Sequence, residues 1–154
     1  MKGREFMIHR FHTFVSNVTL CYKSIQRIKS VEMTEFGLKG THAMCLFYLH
    51  HEPGGLTAAQ LCSRCEEDKA AISRTLAELI EQGYIQPAEK KKYRAPMQLT
   101  DAGIQVAEKV DTLVEQWVTA GGAGLTDEER AAFYHALDII SENLKSKTWE
   151  RTKT

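Results

Sequence analysis

The sequence predicts a mainly α-helical chain carrying one small β-hairpin, and three observations lead there. Apolar residues recur at helical spacing in four long stretches, and a compact apolar run and a short capped segment lie between the first two. Capping residues announce helix starts at Thr57, Asp68, Thr100 and Thr126. One stretch between Tyr84 and Leu99 holds two prolines around a run of basic residues, which suits two short edge-like strands. The order is four helices, a hairpin and two helices.

The elements follow in turn. Phe11, Val15, Val18, Tyr22 and Ile25 step by four and three, the seam of a helix that packs along another helix, and set a long first helix over about 4–30. Gly37 and Gly40 are expected to break the pattern before a compact second helix containing Met44, Cys45, Phe47, Tyr48 and Leu49, closed by Pro53-Gly54-Gly55. Thr57 with Gln60 reads as a capping box that opens a short third helix. After a polar turn, Asp68 caps a fourth helix whose apolar face is Ile72, Leu76, Leu79 and Ile80, stopped by Gly83. Beyond the hairpin, Thr100-Asp101 starts a long helix with Ile104, Val106, Val110, Leu113, Val114 and Trp117, which Gly121, Gly122 and Gly124 end. A second capping box, Thr126 to Glu129, opens the last helix, with Phe133, Leu137, Ile140 and Leu144.

Composition narrows the function. At 43% hydrophobic, the 154 residues can bury the core of one domain, expected over about 1–150 with a polar tail at 151–154. His9, Arg10 and His12 interrupt the apolar residues near the start, so no signal-peptide core forms, and the longest apolar run, Ala43 to Leu49, is too short for a bilayer. A cytoplasmic protein with no membrane partner is expected. Cys21, Cys45, Cys62 and Cys65 are expected as reduced thiols, since nothing calls for disulfide staples. Twenty basic residues balance twenty acidic ones, so any affinity for nucleic acid must come from a local patch.

Two short helices joined by a tight turn are the parts of a helix-turn-helix, whose second helix lies in the major groove of DNA, and a hairpin after them makes a wing. The side chains off the apolar face of the fourth helix are Lys69, Ala70, Ser73, Arg74 and Ala77. Small and basic groups of this kind let a helix approach base edges, and a guanidinium can donate two hydrogen bonds to guanine. Lys90, Lys91, Lys92 and Arg94 would bring positive charge to the wing. An Arg74–Glu78 surface pair and a solvated lysine run are the plainer alternatives. The combination, in order and at this separation, favours DNA.

The runs Leu56-Thr57-Ala58-Ala59-Gln60-Leu61, Asp68 to Leu76, Leu79 to Ile85 and Leu99-Thr100-Asp101-Ala102-Gly103 together resemble the central signature of the MarR-type winged-helix transcriptional regulators. The resemblance extends from Phe11 to Leu144, with Leu125 to Arg130 similar to the start of that family's closing helix. It implies a winged helix-turn-helix over about 38–100 and dimerisation helices over about 4–30 and 101–146. It further implies a homodimer acting on a pseudo-palindromic operator, usually as a repressor, with Thr57 among the DNA-binding residues. Two-fold symmetry spaces half-sites about 10 base pairs apart or a multiple of that. The wing departs from the family pattern of an acidic residue and an arginine at its tip, and Arg94 is the nearest candidate for that arginine.

The resemblance also implies release of DNA by a small, commonly aromatic effector, for which His9, His12, Tyr22, His42 and Tyr48 are candidate polar contacts, although such residues are more often ordinary core. No cofactor and no metal are expected. Cys62-Ser63-Arg64-Cys65 lacks a second cysteine pair, and His9 with His12 lacks a third ligand. Redox sensing by Cys21, or by Cys62 and Cys65 beside Arg64, ranks below ligand sensing. No nucleophile–base pair or paired carboxylates stand out, so an enzyme is not expected. A winged-helix module that binds protein instead of DNA is the other rival, favoured by the zero net charge.

Overall fold

The computed structural model describes residues 2–89 and 95–151. Six helices and one hairpin occur in the expected order: α1 (Lys2–Thr34), α2 (Gly40–His50), α3 (Ala58–Cys65), α4 (Lys69–Glu81), β1 (Ile85–Pro87), β2 (Met97–Leu99), α5 (Asp101–Gly121) and α6 (Asp127–Arg151). The chain forms two compact units, Met1–Thr112 and Leu113–Thr154, with α5 running from one into the other.

The core of the first unit is built from α1 to α4 and the hairpin. Met33, Leu38, Ala43, Cys45, Leu46, Leu49, Leu56, Leu61, Ile72, Leu76, Leu79 and Ile85 are buried there, together with Val106, Ala107 and Val110 of α5. Removing this apolar surface from water is the main favourable term holding the unit together. Gly40 does not interrupt a helix but begins α2, fitting against Lys29 of α1. Ile80 departs from its expected place on the buried face and is 43% exposed, whereas Thr75 is buried.

The caps form as the sequence requires. Thr57 Oγ1 accepts from the Gln60 amide at 3.2 Å and the Gln60 side chain accepts from the Thr57 amide at 2.8 Å. Asp68 accepts from the Ala71 amide at 2.7 Å. Thr126 and Glu129 exchange the same pair of bonds at the start of α6.

The hairpin is antiparallel, pairing Ile85 with Leu99, Gln86 with Gln98 and Pro87 with Met97. The pairing is wider than the sequence suggests, because Leu56 also pairs with Met97 through two backbone hydrogen bonds of 3.1 and 2.8 Å. Gly55 permits this close approach, since a Cβ there would meet the Met97 carbonyl. At the other end of β2, Thr100 joins three elements. Its hydroxyl donates to the Gly83 carbonyl at 2.6 Å and accepts from the Gly103 amide at 3.1 Å, and its amide donates to the Tyr84 carbonyl at 3.0 Å. Gly103 lies so close that any Cβ would collide with that Tyr84 carbonyl.

In the second unit the turn between α5 and α6 is fixed by amide bonds from Gly122 to the Val118 carbonyl and from Leu125 to the Gly122 carbonyl. Arg130 adds an ion pair to Asp127 at 2.9 Å. Phe133, Tyr134, Ile139, Ile140 and Leu144 of α6 are exposed, as are Phe6, Phe11, Val15, Val18, Tyr22 and Ile25 of α1 in the first unit. Among the described residues no helix is long and apolar enough to cross a membrane.

Candidate nucleic-acid interface

Helices α3 and α4 pack on one another and are joined by the turn Glu66-Glu67-Asp68. The turn reverses direction at Glu66, whose backbone sits in the left-handed region at φ 52° and ψ 39°, and whose amide closes α3 on the Cys62 carbonyl. A non-glycine residue there bears a steric penalty that the tight turn imposes.

Because Ile72, Thr75, Leu76 and Leu79 face inward, helical geometry turns Lys69, Ala70, Ser73, Arg74 and Ala77 outward, and all five are exposed. The surface-pair alternative for Arg74 does not form. Glu78 is engaged instead by Lys39 Nζ, at 3.0 and 3.1 Å, and among the described residues Arg74 has no ion-pair partner. The same Lys39 contact, first among its causes, holds the Glu78 carboxyl below the usual range. Thr57 is half-buried and its hydroxyl is engaged with Gln60, so of the expected contact residues it already has a structural role. The wing residues Lys90, Lys91, Lys92 and Arg94 lie outside the described residues.

Behind α4 a cavity of about 200 Å3 is lined by Tyr22 and Lys29 of α1, Met44 of α2, Cys65 of α3, and Ile72 and Thr75 of α4. Of the residues expected at such a cleft, Tyr22 lines it. His9 and His12 are exposed on α1, while His42 serves a different purpose. It is buried, accepts from the Lys39 amide through Nδ1 at 2.7 Å, and brings Nε2 to 2.8 Å from Glu78, too obliquely for a proper hydrogen bond. Burial lowers its pKa below the usual histidine value, against the opposing pull of Glu78.

All four cysteines are free thiols. The thiol brought to Cys65 is that of buried Cys45 on α2, with the sulfurs 3.9 Å apart. Their hydrogen bond is the main cause of opposite shifts, lowering the Cys65 pKa and raising that of Cys45. Arg64, expected beside a thiolate, pairs with Glu52 at 2.9 Å instead, and Cys21 is exposed on α1.

A second cluster was not anticipated from the sequence: His50, His51 and Asp111 converge where α2 ends. The adjacent histidines were its only visible signal, because their carboxylate partner lies about sixty positions further along the chain.

The order helix, turn, helix, wing, with a solvent-facing second helix, defines a winged helix-turn-helix. Residues 36–92 match the model of the MarR family. No curated protein matches the chain. Solved structures share the fold. A MarR protein from Peptoclostridium difficile is similar at 20% identity over 87% of this chain and 88% of its own, with a TM-score of 0.77. A MepR–DNA complex from S. aureus is similar at 18% identity over 82% and 93%, TM-score 0.74. A MarR-family transcriptional regulator from Listeria monocytogenes complexed with a 26mer DNA is similar at 20% identity over 86% and 89%, TM-score 0.75.

Proposed function

We propose that this chain is a sequence-specific, DNA-binding transcriptional regulator of the cytoplasm, acting as a homodimeric repressor on a pseudo-palindromic operator. The observation that carries the reading is the outward face of α4, where Lys69, Ser73 and Arg74, without an ion-pair partner among the described residues, stand among alanines small enough for close approach to base edges. The similar S. aureus and L. monocytogenes structures hold DNA, which supports the same use of this fold. Lys90, Lys91, Lys92 and Arg94 would add phosphate or minor-groove contacts.

Dimerisation accounts for the apolar residues left in solvent, Phe11, Val15 and Val18 of α1 and Phe133, Ile140 and Leu144 of α6. A homodimer built on these helices would bury them and supply two recognition helices related by two-fold symmetry. The cavity behind α4 is the site we assign to a small effector, since a ligand touching Tyr22 and Thr75 together would bias the position of α4.

The test is binding to duplex DNA, including the chain's own upstream region, across a salt series. Saturable binding that weakens steeply with salt is expected, and Arg74→Ala should cost about 1–3 kcal/mol without changing the oligomeric state. Absence of binding at low salt would favour the protein-interaction module.

The Cys45–Cys65 approach favours a second input. A hydroperoxide would take the Cys65 thiolate to a sulfenic acid, releasing alcohol or water, and the Cys45 thiol would then close a disulfide with loss of water. Mass spectrometry after peroxide treatment should find this linkage in the wild type and lose it in Cys65→Ser.

A further inference from the structure

We propose that His50, His51 and Asp111 form a binding site for a divalent first-row transition metal ion of the zinc type, at the junction of α2 and α5. Neighbouring residues within a helix point about 100° apart and do not serve one centre. His50 and His51 escape that rule because α2 ends between them: His51 leaves the helix at φ −89° and ψ 6°, and the two rings come to 5.5 Å between centroids.

Asp111 faces them both. One carboxylate oxygen lies 2.8 Å from His50 Nδ1 and the other 3.1 Å from His51 Nε2. One donor atom from each residue falls within 4.8 Å of the others. Bonds of about 2.0–2.2 Å to nitrogen and oxygen place donors about 3–4 Å apart, so a small turn of the half-exposed His51 ring completes the set.

The surroundings pre-position these groups. Asp111 and His50 are largely enclosed, at 22% and 25% side-chain exposure. The His51 ring rests on Phe47 at 4.7 Å. The carbonyl end of α2 adds partial negative charge toward a cation.

Ligand type selects the ion. Two imidazoles with one carboxylate suit zinc, cobalt or nickel, whereas calcium and magnesium require oxygen donors and copper(I) prefers sulfur. Three protein ligands also leave a position for water. A bound ion would tie the end of α2 to α5 by a link stronger than the present hydrogen bonds. The inference rests on this geometry alone and is independent of the DNA-binding reading.

Untagged full-length protein, stripped with chelator and kept reduced, would be titrated with Co2+ and, by competition with a chromophoric chelator, with Zn2+. One saturable site per chain is expected, with weak visible Co2+ bands and no intense near-ultraviolet thiolate band. Asp111→Asn and His51→Ala should each weaken binding by about tenfold or more, and His9→Ala should leave it unchanged. Circular dichroism would verify that each variant is folded, and exposed His51 supplies the variant least able to disturb the fold. No saturable site, unchanged affinity in folded His51→Ala, or a thiolate band would each overturn the proposal.

Discussion

The winged-helix elements and the long terminal helices use their apolar residues in opposite ways. Leu61 and Leu79 are wholly buried, and the winged-helix segment supplies most of a core within the same chain that Met33 of α1 and Val106, Ala107 and Val110 of α5 complete. The seam of α1 and the stripe of α6 have the same periodicity and similar residues, yet Phe11 is 69% and Phe133 55% exposed. Periodicity therefore specifies a helix and its sticky face, but not whether the covering surface comes from the same chain.

The largest effect should come from the self-contained side. Leu61→Ala empties a fully enclosed site and is expected to cost about 2–5 kcal/mol in denaturant unfolding. A smaller loss than from an exposed-surface substitution would break the contrast. On the other side, Phe11→Glu with Val15→Glu should shift sedimentation from dimer to monomer, weakening association by about 2 kcal/mol or more while helicity survives. An unchanged sedimentation coefficient would show that α1 is not the partner face.

His42 sharpens the comparison within the core. Its folded pKa lies below the unfolded value of 6.5, because burial disfavours the charged form. The unfolded chain thus binds the extra proton first. The stability this histidine contributes is present above the unfolded value and is lost as pH falls below it toward the folded pKa. Thermal unfolding at about pH 7 and about pH 5 should show a larger drop for the wild type than for His42→Asn. Smallest of all, Glu66→Gly relieves a left-handed backbone and should stabilise by up to about 1 kcal/mol, read by the same unfolding curves.

What was legible in the sequence was local. Thr57 with Gln60, Asp68 and Thr126 with Glu129 form their caps across three positions, and the inward face of α4 follows from the helical period, with Ile80 alone misplaced. The candidate recognition set Lys69, Ala70, Ser73 and Arg74 came from that same period. What was missed was non-local. The Leu56–Met97 pairing, the Cys45–Cys65 approach and the His50–His51–Asp111 cluster each join residues at least twenty positions apart, and only packing fixes which residues meet. The role of His42 was hidden for a related reason, since its ring sits at the start of α2 and also meets Glu78 of α4.

Thr100 carries a mechanical consequence. Three hydrogen bonds and the contact at Gly103 tie the end of α4, the root of the wing and the first turn of α5 at one point. The end of α4 and the first turn of α5 are thereby pinned to the same residue, so a displacement of one would be expected to carry the other with it. Thr100→Val would loosen this joint by removing two of the three bonds.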